Sequence, residues 1–471
     1  MFRVKNTALK QNRMHILEAM PVSKAIWVLA LPTMVAMLIQ VVYNMTDTFF
    51  IGKLNNPNMV AAISISMPIF MIIQAFGNIF AVGGASLISR LLGRGERENA
   101  KQAGAIAFWA ALSMSIVVTL IGFLFRRKIL MLCGATDETI GFALSYLTIM
   151  LFGSPLIGLQ HALNGLLRSE GATRESMTGM IMGSILNMIL DPVFIFTFNM
   201  GIAGAAVATV IGNLVGFLYF IGFYVQKKSV ISISPKYFRL NWEFIQEILK
   251  IGIPATMGMM LMSLGFSLTN VVARGFGNDV IAANGVVMRI TNIAVMLTIG
   301  LAQGCQPLMG YSYGAKKYQR LLATVKRAIT IGTIMDTVFA VLFFLLADFW
   351  IKVFIVDPAV IDYGSRIIRA FTVAMPFLGM QMVLMNMFQA LGKSIESLTV
   401  SLGRQGLFYI PALFIFSSLW GFDGFKFAMP FGDIATTCLA FVLFWRIQKK
   451  FTFTEKELPG GQARTVLDSQ N

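Results

Sequence analysis

The chain has 471 residues, of which 56% are hydrophobic and only 13% charged, with a formal net charge of +16. At a mean hydropathy of +0.73 it lacks the polar surface that a soluble protein of this size needs, so lipid must be the solvent. The apolar runs are too long and too continuous for a β-barrel, and no aromatic-interleaved basic domain exists to suggest nucleic acid as a partner.

Residues 1–24 are polar to amphipathic and read as lying on the cytoplasmic surface. The apolar run that follows is too long for a signal peptide and has no clear small-residue cleavage site, so it is retained as the first helix. Apolar runs, each long enough to cross a bilayer as a helix, start near Ile26, Met59, Ala103, Ile140, Met177 and Ile202. Six more start near Ile251, Val280, Ala328, Tyr363, Leu398 and Phe427. The expected fold is an all-α integral membrane protein of about twelve transmembrane helices. Between the two sets lies the polar, densely basic stretch from Gln226 to Asn241, read as an inter-lobe linker. The expected layout is an N-terminal segment (1–24), an N-terminal lobe (25–225), a linker (226–243), a C-terminal lobe (244–447) and a disordered polar tail (448–471).

The two lobes repeat one another. Pro32, Asp47, Gly52, Gly93, Pro155 and Gly171 recur as Pro254, Asn270, Gly275, Gly314, Pro376 and Gly392, at offsets of 221 to 223 residues. A repeated apolar unit related by a pseudo-two-fold axis is a common plan for secondary transporters. The symmetry is broken where the acid Asp47 faces the amide Asn270. Most of the 38 Lys and Arg fall on the side of the termini and linker, which by the positive-inside rule makes both termini cytoplasmic. The cluster Arg126, Arg127, Lys128 falls on the other side, and nothing in the sequence accounts for it. The glycine-rich segments that end in Arg94 and Arg97 in one lobe and Lys316 and Lys317 in the other read either as charged loops or as seals of an inner gate.

Ionisable groups inside membrane helices are costly and default to functional hypotheses. Asp47 lies well along the first helix, and Asp191 lies roughly 24 Å along the fifth. Asn187 precedes Asp191 by one turn on the same face, and Thr209 enters at similar depth from the sixth helix. Two carboxylates, an amide and a hydroxyl form an oxygen-rich set suited to a proton or to a hard cation such as sodium. Two acids in a low-dielectric cleft cannot both stay ionised without a positive partner. Competition of a proton, a sodium ion or an organic cation for that position suffices for antiport. Pro32 and Pro192 each remove a helical hydrogen bond and should bend their helices, so Pro32 can move Asp47. The bland alternatives are an interfacial Asp47 and static kinks. Gln40, Tyr146, His161 and Asn164 are candidate cavity residues, since polar groups at this depth need a partner or water. The 31 Met and 40 Phe suit a cavity for greasy cations, although most should face lipid or pack between helices. Arg289 and Asp433 are expected to form an ion pair in the second lobe, with Arg404 snorkelling toward the inner face. Three scattered cysteines and two distant histidines give no metal-ligand spacing, and no cofactor is expected.

Four segments together resemble the MATE family of multidrug and toxic-compound extrusion transporters: ALPTMVAMLIQVVYNMTDTFFIGKLN, NMILDPVFIF, GAAVATVIGN and QPLMGYSYGA. The similarity covers roughly residues 15–450 and is strongest to the bacterial multidrug export branch with its acids in the first lobe. It implies a cation or proton site at Asp47, Asn187, Asp191 and Thr209, a bending proline at Pro32 and a polar cavity at Gln40, Tyr146 and Asn164, with His161 where an amide is common. Some members carry a glutamate in the seventh helix; here that stretch reads Met260, Leu261, Met262, Ser263, without an acid. The expected function is a multidrug efflux antiporter in the cell membrane, a monomer moving lipophilic organic cations against protons or sodium, with membrane lipids as its other partners. The rival is a flippase for a lipid-linked sugar, which should line its cleft with cationic residues. An embedded enzyme is disfavoured because no nucleophile has an evident base.

Overall fold

The computed structural model describes residues 2–54 and 56–456, and every regular element among them is helical. A first helix, α1 (Phe2–Glu18), precedes α2 (Val22–Gly52), α3 (Pro57–Gly93), α4 (Arg97–Leu132), α5 (Asp137–Ser169), α6 (Thr173–Pro192) and α7 (Ile202–Val225). The second lobe holds α8 (Trp242–Arg274), α9 (Asn278–Gly314), α10 (Tyr318–Leu345), the short α11 (Ala347–Lys352), α12 (Pro358–Thr372), α13 (Met375–Ala390), α14 (Ser394–Leu402) and α15 (Ile410–Lys456). Local chemistry sets several starts: the Asn56 side chain accepts from the backbone of Asn58 and Met59 at α3, and Thr136 with Thr139 forms a capping box at α5.

Among the described residues, six spans in the first lobe match six in the second. Nine are single helices, and α12 with α13 makes one span bent by 53°. The stretch Ser394–Lys449 is 56 residues long, at about 1.5 Å per residue far too long for one crossing. It is broken at Gly421, whose φ of +58° and ψ of −133° are nearly those of Gly201 (+57°, −134°) at the head of α7. That left-handed region suits glycine, and the repeat thus turns the chain back at the same place in each lobe. The first span starts at Val22 instead of residue 25. The last helix runs on through 448–456, which were expected to be tail; no Gly or Pro interrupts it before Pro459. The remainder of the expected tail lies outside the described residues.

The apolar core has three parts, and their arrangement defines the shape. One cluster joins both lobes, with Ile26, Leu29, Ile79 and Leu87 packed with Ile248, Leu301, Leu308 and Phe388. It occupies the half of the molecule nearest α1 and the linker, here called the linker face. The far halves have separate cores: Ile63, Leu147 and Ile202 in the first lobe, and Val287, Ile367 and Leu413 in the second. The lobes are therefore joined at the linker face and hold independent cores at the far face.

Glycines let the joint half close so tightly. A Cβ at Gly83 would stand 2.1 Å from the Ile248 carbonyl oxygen, and one at Gly252 the same distance from that of Ile79. The two segments read as loops or gate seals also meet across the lobes, since Gly93 lies against the Tyr311 backbone and Gly314 against that of Arg90. Nearer mid-depth, Thr256 Oγ1 donates to the Ala75 carbonyl at 3.2 Å and Asn78 Nδ2 lies 3.3 Å from Met259 sulfur.

Helix α1 lies across this closed face and touches both lobes. Arg13 reaches Glu170 Oε1 (3.3 Å), Glu175 Oε1 (2.7 Å) and the Lys228 carbonyl (3.0 Å) on the first-lobe side. Arg320 of α10 caps its other end, donating to the carbonyls of Ile16 and Leu17 at 3.2 Å each, where the helix dipole is negative.

Candidate functional site

Three helices of the first lobe converge on one set of polar groups near the far half. Helix α2 brings Asp47 about seven turns from its start. Helix α6 brings Asn187 and Asp191, whose four-residue spacing puts both on one face, and α7 brings Thr209. Asn187 Nδ2 donates to Thr209 Oγ1 at 3.3 Å. Exposure is 2% for Asn187, 0% for Asp191 and 5% for Thr209, while Asp47 is half-buried. Asp191 lies in the field of the Asp47 carboxylate.

Asp47, Asn187, Asp191 and Thr209, the expected ion-coupling residues, thus lie in one region of the first lobe. Local backbone explains the presentation of Asp191. It precedes Pro192, which cannot bond to the Met188 carbonyl, and the chain passes at once into a π-helical turn (Val193–Thr197), a feature common at functional sites.

What marks the site is unmet hydrogen bonding. Asp47 Oδ1, Asn187 Oδ1 and both carboxylate oxygens of Asp191 are buried and have no partner. Buried acceptors are almost always paired, and carboxylates in this setting need a proton or a cation. Among the described residues no group of three or more His, Cys, Asp and Glu could hold a metal, so a transition-metal centre does not fit. Carboxylate, amide and hydroxyl oxygens are the donor set of a hard monovalent cation or a shared proton.

Two tyrosines complete the surroundings. Tyr43, one turn before Asp47 on the same face, reaches Thr209 with its hydroxyl and feels both acids. It was missed, although the four-residue spacing to Asp47 was a usable signal. Tyr146 on α5 lies in the field of the same two acids. The other cavity candidates are spread out. Gln40 bonds Asn44 on its own helix at 3.4 Å. Asn164 is buried eighteen residues beyond Tyr146 toward the linker face, where it reaches the Ser176 carbonyl at 3.5 Å. His161 is half-buried nearby and feels the charge of Arg168.

The second lobe differs from expectation at two points. Asp433 is 2% exposed and takes its ion pair from Arg404 Nε at 2.7 Å, not from Arg289, which is exposed. The cause is the π-helical turn Gly403–Tyr409, whose wider winding carries Arg404 inward instead of letting it snorkel. The residue standing in for Asp47 is Thr269, fifteen residues after Pro254 as Asp47 is after Pro32. Thr269 is buried and hydrogen-bonds the Tyr409 hydroxyl, whereas Asn270 is exposed. Where the first lobe has the carboxylate Asp47, the second has the neutral Thr269–Tyr409 pair, with Asp433 and its partner Arg404 nearby.

The MatE family model matches residues 32–193 and 254–415, one copy in each lobe. The multidrug export protein MepA of Staphylococcus aureus strain N315 is 30% identical over 453 residues, covering 96% of this chain and 100% of that protein. MepA of Staphylococcus saprophyticus is also 30% identical with the same coverage. Among solved structures, a MATE in complex with MaL6 superposes with a TM-score of 0.90 at 25% identity, covering 93% of this chain and 99% of that one. An outward-facing multidrug resistance MATE family transporter of the MOP superfamily gives 0.90 and 25%, with 93% and 98% covered.

Proposed function

Because the chain belongs to the MatE family of multi-pass membrane transporters, we propose that it is a multidrug efflux antiporter exporting lipophilic organic cations in exchange for protons or sodium. The observation that carries this reading is the set of buried, unpartnered oxygens shared by Asp47, Asn187 and Asp191, in a lobe whose repeat partner has Thr269 in place of Asp47. The relatives named as multidrug exporters support the cargo class.

The concentration of basic residues at the linker face supports taking it as the cytoplasmic one, with both termini on the cytoplasmic side of the cell membrane. The joint core then seals the cytoplasmic side while the far halves stand apart, an arrangement that suits release of cargo outside. In this state the acid pair accepts a proton or sodium ion. Asn187 and Thr209 supply neutral oxygens around it, and Tyr43 holds Thr209 in place. Ion and organic cation compete for the same negative charge, so loading one expels the other. Pro32 leaves the Val28 carbonyl without its helical donor, which makes the buried lower part of α2 the place where occupancy at Asp47 becomes movement of the lobes. One chain suffices for this cycle.

A lipid-linked sugar would need several free cations in the cleft for its phosphates. Arg404 is already neutralised by Asp433, which leaves Arg289 and weakens that alternative. The test is dye transport in liposomes, using an ethidium-like cation with proton and sodium gradients imposed separately. Gradient-driven uptake that ceases in Asp47→Asn and Asp191→Asn supports the reading; uptake unchanged in both variants rejects it.

A further inference from the structure

Three helices of the second lobe enclose a carboxyl group that the exchange cycle above does not use. Asp336 lies about five turns into α10 and is 1% exposed. Its Oδ1 stands 2.6 Å from Thr298 Oγ1 of α9, its Oδ2 is buried with no hydrogen-bond partner, and the group lies against the Gly379 backbone of α13.

The Thr298 hydroxyl also lies 3.0 Å from the Ala294 carbonyl oxygen. A hydroxyl carries a single hydrogen, and a carbonyl can only accept. If that hydrogen serves Ala294, the short contact to Oδ1 needs a proton from Asp336. If it serves Asp336, a full negative charge sits among apolar helices with only the Thr298 hydroxyl and the Gly379 backbone beside it and no cation, an arrangement that low-dielectric surroundings disfavour. The first assignment satisfies every close contact.

Among the described residues no cation is placed to compensate a charge here. Helix α13 has no ionisable side chain. On α9, Arg289 is nine residues before Thr298, Cys305 seven after it, and Asp279, Tyr311 and Tyr313 are at the two ends. Helices α11 and α12 carry their charges, Asp348, Lys352, Asp362, Arg366 and Arg369, at the far face, with Tyr363 beside them. From α2, Lys24 is at the linker end, while Tyr43 and Asp47 belong to the first-lobe site. On α10 itself, Lys326 and Arg327 are more than two turns away.

The repeat shows that packing does not require this acid. At an offset of 221, Thr298, Asp336 and Gly379 correspond to Gly77, Ser115 and Gly158. Those three also meet: a Cβ on Gly77 would stand 2.7 Å from the Gly158 carbonyl, and one on Gly158 would stand 2.3 Å from Ser115 Oγ. The same crossing is thus built with a hydroxyl in one lobe and a carboxyl in the other. A metal ion does not fit, because Gly332 and Gly379 press their backbones together beside it and Thr298 adds only one oxygen.

We propose that Asp336 is a proton-binding site of the second lobe, loaded in this conformation, shared with Thr298 and separate from the Asp47–Asp191 pair. Its ionisation draws the Thr298 hydrogen away from Ala294. That disturbs α9, whose Gly300 and Gly304 hold the first lobe at Met34 and Ala30.

The test is infrared spectroscopy of the purified Asp47→Asn/Asp191→Asn protein, which removes the first-lobe acids. A neutral-carboxyl C=O band that shifts in deuterated buffer is expected at neutral pH. It should vanish on adding Asp336→Asn and shift to higher frequency on adding Thr298→Val. Absence of the band, its survival in Asp336→Asn, or an unmoved band in Thr298→Val overturns the proposal. Should Asp336→Asn fail to fold, Thr298→Val alone decides: a band moved to higher frequency supports the proposal and an unmoved band overturns it.

Discussion

Replacing Arg13 with alanine tests whether α1 is an integral part of the closed linker face. Glu170 is 0% exposed, and its Oε1 faces Arg13 while Oε2 accepts from Ser229 Oγ (2.8 Å), Val230 N (2.5 Å) and Ile231 N (3.2 Å). Removing one partner of a buried pair typically costs about 3–5 kcal/mol, because the other charge is left uncompensated. The three surviving donors soften that loss, since hydrogen bonds to a charged group each contribute about 1.5–3 kcal/mol. The variant also loses the 2.7 Å pair with Glu175 and the stacking of Arg13 over the Phe223 ring at 4.8 Å. The expected net cost is about 3 kcal/mol, read as the free energy of unfolding in mixed micelles. Arg13→Leu with Glu170→Gln should recover much of it, because the amide oxygen still accepts from Ser229, Val230 and Ile231 while the buried carboxylate charge is gone. A single variant within about 0.5 kcal/mol of the parent, or a double variant no better than the single, would refute the reasoning.

Three further outcomes follow from the same geometry. Arg404→Ala strands Asp433 and should destabilise by about 3–5 kcal/mol, whereas Arg404→Met with Asp433→Leu should be close to neutral, both measured by the same unfolding assay. Gly83→Val puts branched carbon where the Ile248 carbonyl stands, so the linker face cannot close. Export should be lost with the protein still in the membrane, and a cysteine at Ile79 should become open to an impermeant thiol reagent from the linker side. Thr209→Val removes the acceptor of Asn187 and the partner of Tyr43, and should weaken ion dependence of transport far more than it weakens dye binding.

Much of this architecture was legible in the chain because lipid imposes long apolar runs and the repeat doubles every signal. Asp47, Asn187, Asp191 and Thr209 could be placed by counting residues along helices, since depth follows from rise and face from the four-residue step. Facing was harder in the second lobe. A one-residue shift turns a helix by about 100°, which is the difference between exposed Asn270 and buried Thr269. The π turn at Gly403–Tyr409 changes the phase of Arg404 in the same way, and no periodicity within one helix reveals that. Tyr43 and Asp336 carried signals that were overlooked: one shares the face of Asp47, and the other is a lone acid in an apolar run. The bridge formed by α1 was beyond reach, because Arg13 finds Glu170 at a separation of 157 residues.

The exchange cycle depends on ion and cargo competing for one pair of acids in the first lobe. The most direct measurement is the release of protons or sodium ions when an ethidium-like dye is titrated into the purified protein. Release that accompanies dye binding, and that disappears in Asp47→Asn and in Asp191→Asn, is the predicted result. Dye binding that frees no ion, or frees the same amount in both variants, contradicts it.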